Sequence, residues 1–201
     1  PMEYTAKGLP KVIHYCWFGR GEKSPLIQRC IATWREKMPG WEIQEWNEDN
    51  FDVESIPYTA EAYGAKKYAF VADYARFWIL YHFGGVCLCT DVELLRPVDD
   101  LLDETPCLMG FELRDTINPG SIISALPGDA LLGELLEDYA KLHFVRQDGS
   151  LNTKTIVAYT TEMLRRHGFT GGNRMQQVGN FVLYPSEYFC PFEHETQMVV
   201  K

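Results

Sequence analysis

Three polar constellations interrupt the apolar first half of this chain. The stretch YHFGGVCLCTDVELL, Tyr81 to Leu95, runs through an apolar segment into Asp91 and Glu93. Carboxylates at the end of a buried strand suit a hard divalent cation, which takes oxygen ligands and needs only one or two from protein when substrate phosphates supply the rest. A solvated strand end is the competing reading, and a short acidic pair taken alone favours it. Asp73 and Arg76, three residues apart, share a helix face. On a surface such a pair contributes about 0.3–0.5 kcal/mol; at a pocket wall it can grip hydroxyls or phosphate. Trp17 closes an apolar run and is either a core aromatic or a flat platform for a nucleobase.

The elements that position these residues follow from the spacing. KVIHYCWF (11–18) predicts a first strand. Ser24-Pro25 predicts a helix start, with Ile27, Ile31 and Trp34 at helical intervals, and WEIQEW (41–46) a second strand. Asn47 opens the acidic turn NEDNFD. A long helix is expected from Ala65 to Phe83, with Phe70, Tyr74, Phe77 and Tyr81 as its core stripe and Gly84 ending it. A strand is expected to continue through VCLCTDVELL, which puts Cys87, Cys89, Asp91 and Glu93 on one face. Later strands are expected at CLMGFE, SIISAL and GNFVLYP, with helices at Asp129–His143 and Asn152–His167. Alternating strands and helices predict an α/β fold with a mainly parallel central sheet, whose ligands gather at the carboxyl ends of the strands.

Composition narrows the function. The net charge of −9 over 201 residues argues against a general nucleic-acid binder. No apolar run approaches the roughly 20 residues that span a bilayer, and the polar start carries no signal-peptide core, so a cytoplasmic protein is expected. The six cysteines form no C-x-x-C pair and are read as thiols. Zinc held by His82, Cys87 and Cys89 has poor ligand spacing.

In this order and spacing, GLPKVIHYCWFG, EWNEDNFD, AKKYAFVADYARFWILYHFGGV and TDVELLRPVDDLL resemble the DXD-containing glycosyltransferases of the Och1-like and capsular-polysaccharide type (glycosyltransferase family 32-like). Their donor core is similar to that of the clostridial glucosylating toxins. The resemblance is strongest from Leu9 to Leu102 and covers most of the chain. It implies one GT-A domain, a Rossmann-like nucleotide-diphospho-sugar fold, over residues 1–201. It further implies a UDP- or GDP-sugar donor, Mn²⁺ or Mg²⁺, and retention at the anomeric carbon. The acceptor it implies is a glycan or lipid-linked glycan in surface polysaccharide synthesis, with peripheral association at the inner face of a membrane. By the same resemblance Trp17 packs on the base, Asp73 and Arg76 bind the donor sugar, Asn47 borders the nucleotide and Asp91 ligates the metal. No protein base is nominated, because the leaving phosphate takes the acceptor proton in retaining members.

The sequence departs from the family pattern at two places. The first acid of D-x-D is Cys89, at a position that contacts donor hydroxyls in the family. The family's further C-terminal segment, with a histidine near a tryptophan, has no counterpart before Lys201, so a shortened C-terminus is expected. Two functions stay open at this stage: a weakened transferase, or a non-catalytic relative that binds nucleotide-sugar or glycan.

Overall fold

The computed structural model describes residues 1–189 and the backbone of a strand at 197–199; Cys190 and His194 lie outside the described residues. Strand β1 (Val12–Cys16) leads to helix α1 (Pro25–Lys37), whose N-cap Ser24 accepts from the Ile27 amide, and then to β2 (Glu42–Trp46). Helices α2 (Pro57–Gly64) and α3 (Tyr68–Phe83) precede β3 (Gly85–Leu88), β4 (Val92–Leu94) and the short α4 (Asp99–Glu104). Strands β5 (Leu108–Leu113), β6 (Thr116–Ile117) and β7 (Ile122–Ala125) follow, then α5 (Ala130–Ala140) and α6 (Ile156–Arg165). Strands β8 (Gln176–Val178) and β9 (Phe181–Tyr184), α7 (Ser186–Phe189) and β10 (Gln197–Val199) complete the order.

The central sheet runs β2-β1-β3-β7-β5-β9-β8, with β6 on β5 and a separate β4–β10 pair. The parallel expectation holds for β2, β1 and β3, and again for β5 with β9. Around β7 the sheet is antiparallel, on β3 and on β5. The reason is connection length: the link from β5 through β6 to β7 is too short for the crossover that parallel neighbours require. The sheet is therefore mixed.

Period-two alternation divides the core. Ile13, Tyr15, Val86, Leu88 and Ile122 meet Ile31 and Trp34 of α1 on one face. Cys87, Met109, Phe111 and Ile123 meet α3, α5 and α6 on the other. The helix expected from Ala65 starts three residues late, because Lys66 takes a left-handed φ of 59° and separates α2 from α3. Gly84 ends α3 as expected, with φ 69°. Its neighbour Gly85 (φ 113°) sits where a Cβ would lie 2.7 Å from Val12 Cγ1 and 2.8 Å from the Val12 carbonyl, so β1 and β3 pair only over glycine.

His14 locks this corner. Trp46 Nε1 donates to its Nδ1 at 2.9 Å, which leaves Nε2 to donate to the Gly84 carbonyl at 2.9 Å. Burial lowers its pKa from 6.5 to about 4, against the carbonyl bond. The folded chain therefore refuses a proton that the unfolded chain takes up below pH 6.5. Stability should fall between there and pH 4, by on the order of 3 kcal/mol in total. His14→Gln is expected to flatten that part of the acid limb in urea melts; an unchanged slope would assign acid sensitivity to other groups.

Candidate functional site

A cavity of about 530 Å³ opens at the carboxyl ends of β1 and β3. The loop after β1 gives it Trp17 and Gly19, and α3 gives it Tyr68, Ala69, Ala72, Asp73 and Arg76. These α3 positions fall at helical intervals, so one face of the helix forms the wall, and two alanines leave it open. Cys89 and Thr90 enter after β3, Asn118 and Gly120 from the loop before β7. Gly19 has φ 95°, and a Cβ there would collide with the Tyr68 ring, so the loop closes directly on that ring.

Arg76 is buried at 9% exposure. Its Nη1 donates to the Gly120 carbonyl at 2.7 Å and to the Pro119 carbonyl at 3.2 Å, while Nη2 lies 3.9 Å from Asp73 Oδ1. The guanidinium thus pins the loop before β7 and sets a positive charge behind the wall. Asn118 braces the same loop, its Oδ1 accepting from the Gly120 amide at 2.8 Å. Burial raises the Asp73 pKa to about 7, with Arg76 opposing, so near neutrality this carboxyl holds its proton part of the time.

The D-x-D region differs from the expected strand. The chain leaves β3 at Leu88, and the Val92 amide donates to the Cys89 carbonyl at 3.0 Å, making residues 89–92 a turn. Cys87, Cys89, Asp91 and Glu93 therefore do not share a strand face. The Cys89 amide is held by the Ser121 carbonyl at 3.0 Å, which pulls the turn toward the loop before β7. Cys87 points into the helix-packed core, its Sγ 3.9 Å from the Arg76 carbonyl, and His82 stacks on Trp78, so the zinc grouping with Cys89 does not form. Burial, and next the Asp91 carboxylate, push the Cys89 thiol up to about 11.

Asp91 does not line the cavity itself; it adjoins Cys89 in the turn. Its Oδ1 is buried without a hydrogen-bond partner. A carboxylate oxygen removed from water and left unmatched costs about 1–3 kcal/mol, and a cation there would offset that. Among the described residues no three His, Cys, Asp or Glu side chains converge as a metal cluster. The donor set thus fits an ion anchored by one carboxylate and completed by a ligand's phosphates, not an all-protein cage.

Trp17 hangs its Nε1 on the Gly21 carbonyl at 2.8 Å, and Lys23 Nζ lies 5.5 Å from its ring centre. Lys23 also pairs with Glu45 at 2.7 Å, and Glu45 accepts from Tyr15 and from Asn47. Asn47 is outside the cavity: its amide goes to Glu45 at 2.6 Å and its carbonyl oxygen caps the Asp49 amide at 2.8 Å. Glu48, from the same turn, accepts from the Gly19 amide at 2.6 Å and from Tyr63 at 2.8 Å. The acidic turn thus braces the glycine loop of the cavity. Of the six residues singled out in the sequence, Trp17, Asp73, Arg76 and Cys89 share one cavity, while Asn47 and Asp91 flank it. Tyr68, Lys23, Glu48 and Asn118 were missed. Tyr68 alone had a signal, since it lies on the helical stripe of Asp73 and Arg76; the loop residues had none.

Residues 24–108 match the family described as "Glycosyltransferase sugar-binding region containing DXD motif". Inositol phosphoceramide mannosyltransferase 1 of Schizosaccharomyces pombe (strain 972) is 28% identical over 113 residues, 50% of this chain and 34% of the relative. The chain therefore spans about a third of that relative's length. The solved structure titled PaToxG Glycosyltransferase superposes with a TM-score of 0.51 at 16% identity, over 83% of this chain and 71% of its own. The likeness gives the fold: an α/β sheet flanked by helices, of GT-A type. Among the described residues no helix is long and apolar enough to cross a membrane.

Proposed function

We propose that the chain is a metal-dependent retaining glycosyltransferase, a reading supported by the match of residues 24–108 to the sugar-binding region of the DXD glycosyltransferases. It takes a UDP- or GDP-sugar and transfers the sugar to a glycan or lipid-linked glycan. One observation carries this reading: Trp17, Asp73, Arg76 and Cys89, distant in sequence, meet at a single cavity at the carboxyl ends of β1 and β3. Trp17 offers the base an aromatic face. Asp73 accepts sugar hydroxyls when ionised, and Arg76 fixes the carboxyl and the Gly120 loop together. Asp91 would hold the ion, which would supply positive charge to offset that of the departing diphosphate. The acceptor hydroxyl surrenders its proton to that diphosphate, so no protein base is assigned. The relative's name joins a mannosyl group to a ceramide-linked acceptor. This favours mannosyl donors and a lipid-linked acceptor at a membrane surface over a capsular polysaccharide.

The test is donor hydrolysis across UDP- and GDP-sugars with Mn²⁺. One donor is expected to turn over, with hydrolysis lost on chelation; no turnover of any donor would remove the transferase reading. Cys89 favours a second reading, a protein that binds the donor without turnover, and that reading requires a metal-dependent thermal shift with nucleotide but no hydrolysis. The two readings diverge at Cys89→Asp. Restoring a hard acid that accepts a donor hydroxyl is expected to raise Mg²⁺-supported hydrolysis about tenfold or more, from about 1.5–3 kcal/mol for a charged hydrogen bond. A fall in both hydrolysis and donor affinity would show that the thiol itself is needed.

A further inference from the structure

We infer that the chain has a second binding site, separate from the donor cavity: an aromatic cage at the margin of the sheet for a quaternary alkylammonium group, such as choline carries. A cavity of about 420 Å³ lies over β1 and the edge strand β2, and it shares no lining residue with the donor cavity. The register pairs Val12 with Glu42 and His14 with Gln44, and alternation puts these four and Trp46 on one face. Phe83, from the end of α3, and Tyr4 complete the wall. Tyr4 is tied down: it bridges to Pro10, the Lys11 amide donates to the Glu3 carbonyl at 2.8 Å, and the Thr5 amide donates to the Leu9 carbonyl at 2.8 Å. Yet Tyr4 and Phe83 stand 59% and 51% exposed, so folding alone leaves both rings in water.

The chemistry of the lining selects the ligand. The Trp46 and Phe83 ring centres are 5.5 Å apart, close enough for one cation to sit within the roughly 6 Å reach of both. The polar side chains are nearly all acceptors. Trp46 Nε1 donates to His14, His14 Nε2 donates to the Gly84 carbonyl, and Gln44 turns its Nε2 onto the Glu45 carbonyl at 2.7 Å. The Glu42 carboxylate meets no cation or side-chain donor among the described residues. Apart from the Tyr4 hydroxyl, the cavity's side chains therefore offer ring faces, an amide oxygen and one negative charge. A sugar needs donors as well as acceptors, and an anion needs donors outright. A methylated ammonium needs neither: ring quadrupoles and Glu42 attract it, and it has no N–H left unmet against the rings. The net charge of −9 favours the approach of such a cation.

Choline and tetramethylammonium are the probes, titrated calorimetrically into the intact chain. Both are expected to bind. The uncharged tert-butyl analogue of choline, with carbon in place of the ammonium nitrogen, should bind about tenfold or more weakly. Tyr4→Ala and Glu42→Gln, both at exposed positions, should each weaken choline by about tenfold with circular dichroism and melting temperature unchanged. Vesicles of phosphatidylcholine and of phosphatidylglycerol separate two sources of the group. Co-sedimentation with the first alone, reversed by free choline, assigns a lipid headgroup; choline binding without co-sedimentation assigns a free solute. No binding of either ammonium, equal affinity for the uncharged analogue, heat with maltose but not with choline, or choline affinity unchanged in both variants would overturn the cage. The donor cavity shares none of these residues, so each of these results leaves the donor reading as it stands.

Discussion

Asp91→Ala is expected to make nucleotide affinity the same with and without a divalent ion. In the native chain the ion should strengthen binding by about 2–4 kcal/mol, roughly 30- to 1000-fold, the range for a close charge pair shielded from water. The reason is local. Asp91 is the carboxylate of the turn whose buried oxygen no protein donor meets, and no convergent cluster among the described residues can take over its task. The same fact separates a binding role from a structural one. Deleting a buried, unmatched acceptor removes a cost, so the metal-free variant should melt no lower than the native chain. Isothermal titration with nucleotide, with and without Mn²⁺, reads the first effect, and a thermal melt reads the second. A metal-dependent gain that persists in Asp91→Ala would take the ion away from this residue.

The regular elements were legible because each carried a local signal. Ser24-Pro25 announced α1, and of the stripe Phe70, Tyr74, Phe77 and Tyr81, the central Tyr74 and Phe77 are buried on α3 while Phe70 and Tyr81 are partly buried at its ends. Gly84 ended that helix where a left-handed residue was required. Asp73 and Arg76 were placed on one face by helical spacing alone, and they share that face.

What was not legible depended on contacts between distant segments. A run of apolar and acidic residues from Val86 to Leu95 alternates like one strand. Nothing in it records that the β3–β7 register runs only as far as the Cys89 amide on the Ser121 carbonyl, after which the Val92 amide turns back onto the Cys89 carbonyl. The antiparallel entry of β7 was hidden likewise, because it follows from a short β5–β7 link whose strands, β6 above all, are too brief to show a period. The wall residues Asn118 and Gly120 stand in that link, and only the fold makes them neighbours of Arg76, whose Nη1 reaches the Gly120 carbonyl. Asn47 shows the converse. Its turn chemistry was plain in the sequence, and the turn forms, but its side chain is spent on Glu45 and the Asp49 amide.

The Asp73 carboxyl carries the second large effect, because its environment sets stability and binding against each other. Burial raises its pKa from 3.8 to about 7 despite Arg76. Between these values the folded chain holds a proton that the unfolded chain has released, so stability falls as pH rises from about 4 to 7, by up to about 4 kcal/mol. Asparagine has no such titration. The melting temperature of Asp73→Asn relative to the native chain should therefore climb between pH 4 and 7 and then level off. Donor binding should respond in the opposite sense. The ionised carboxylate is the stronger acceptor for sugar hydroxyls, so native affinity should rise as pH passes through 7. Asp73→Asn should bind about tenfold or more weakly at pH 8 and show no such rise, since a charged hydrogen bond gives about 1.5–3 kcal/mol. Arg76 stays in place in this variant through the Pro119 and Gly120 carbonyls, which keeps the wall itself intact. Melts and donor titrations at pH 5 and pH 8 separate the two effects. A relative melting temperature that is flat with pH would mean that Asp73 titrates as an exposed carboxylate. Unchanged donor affinity at pH 8 would mean that the sugar lies elsewhere than on this side chain.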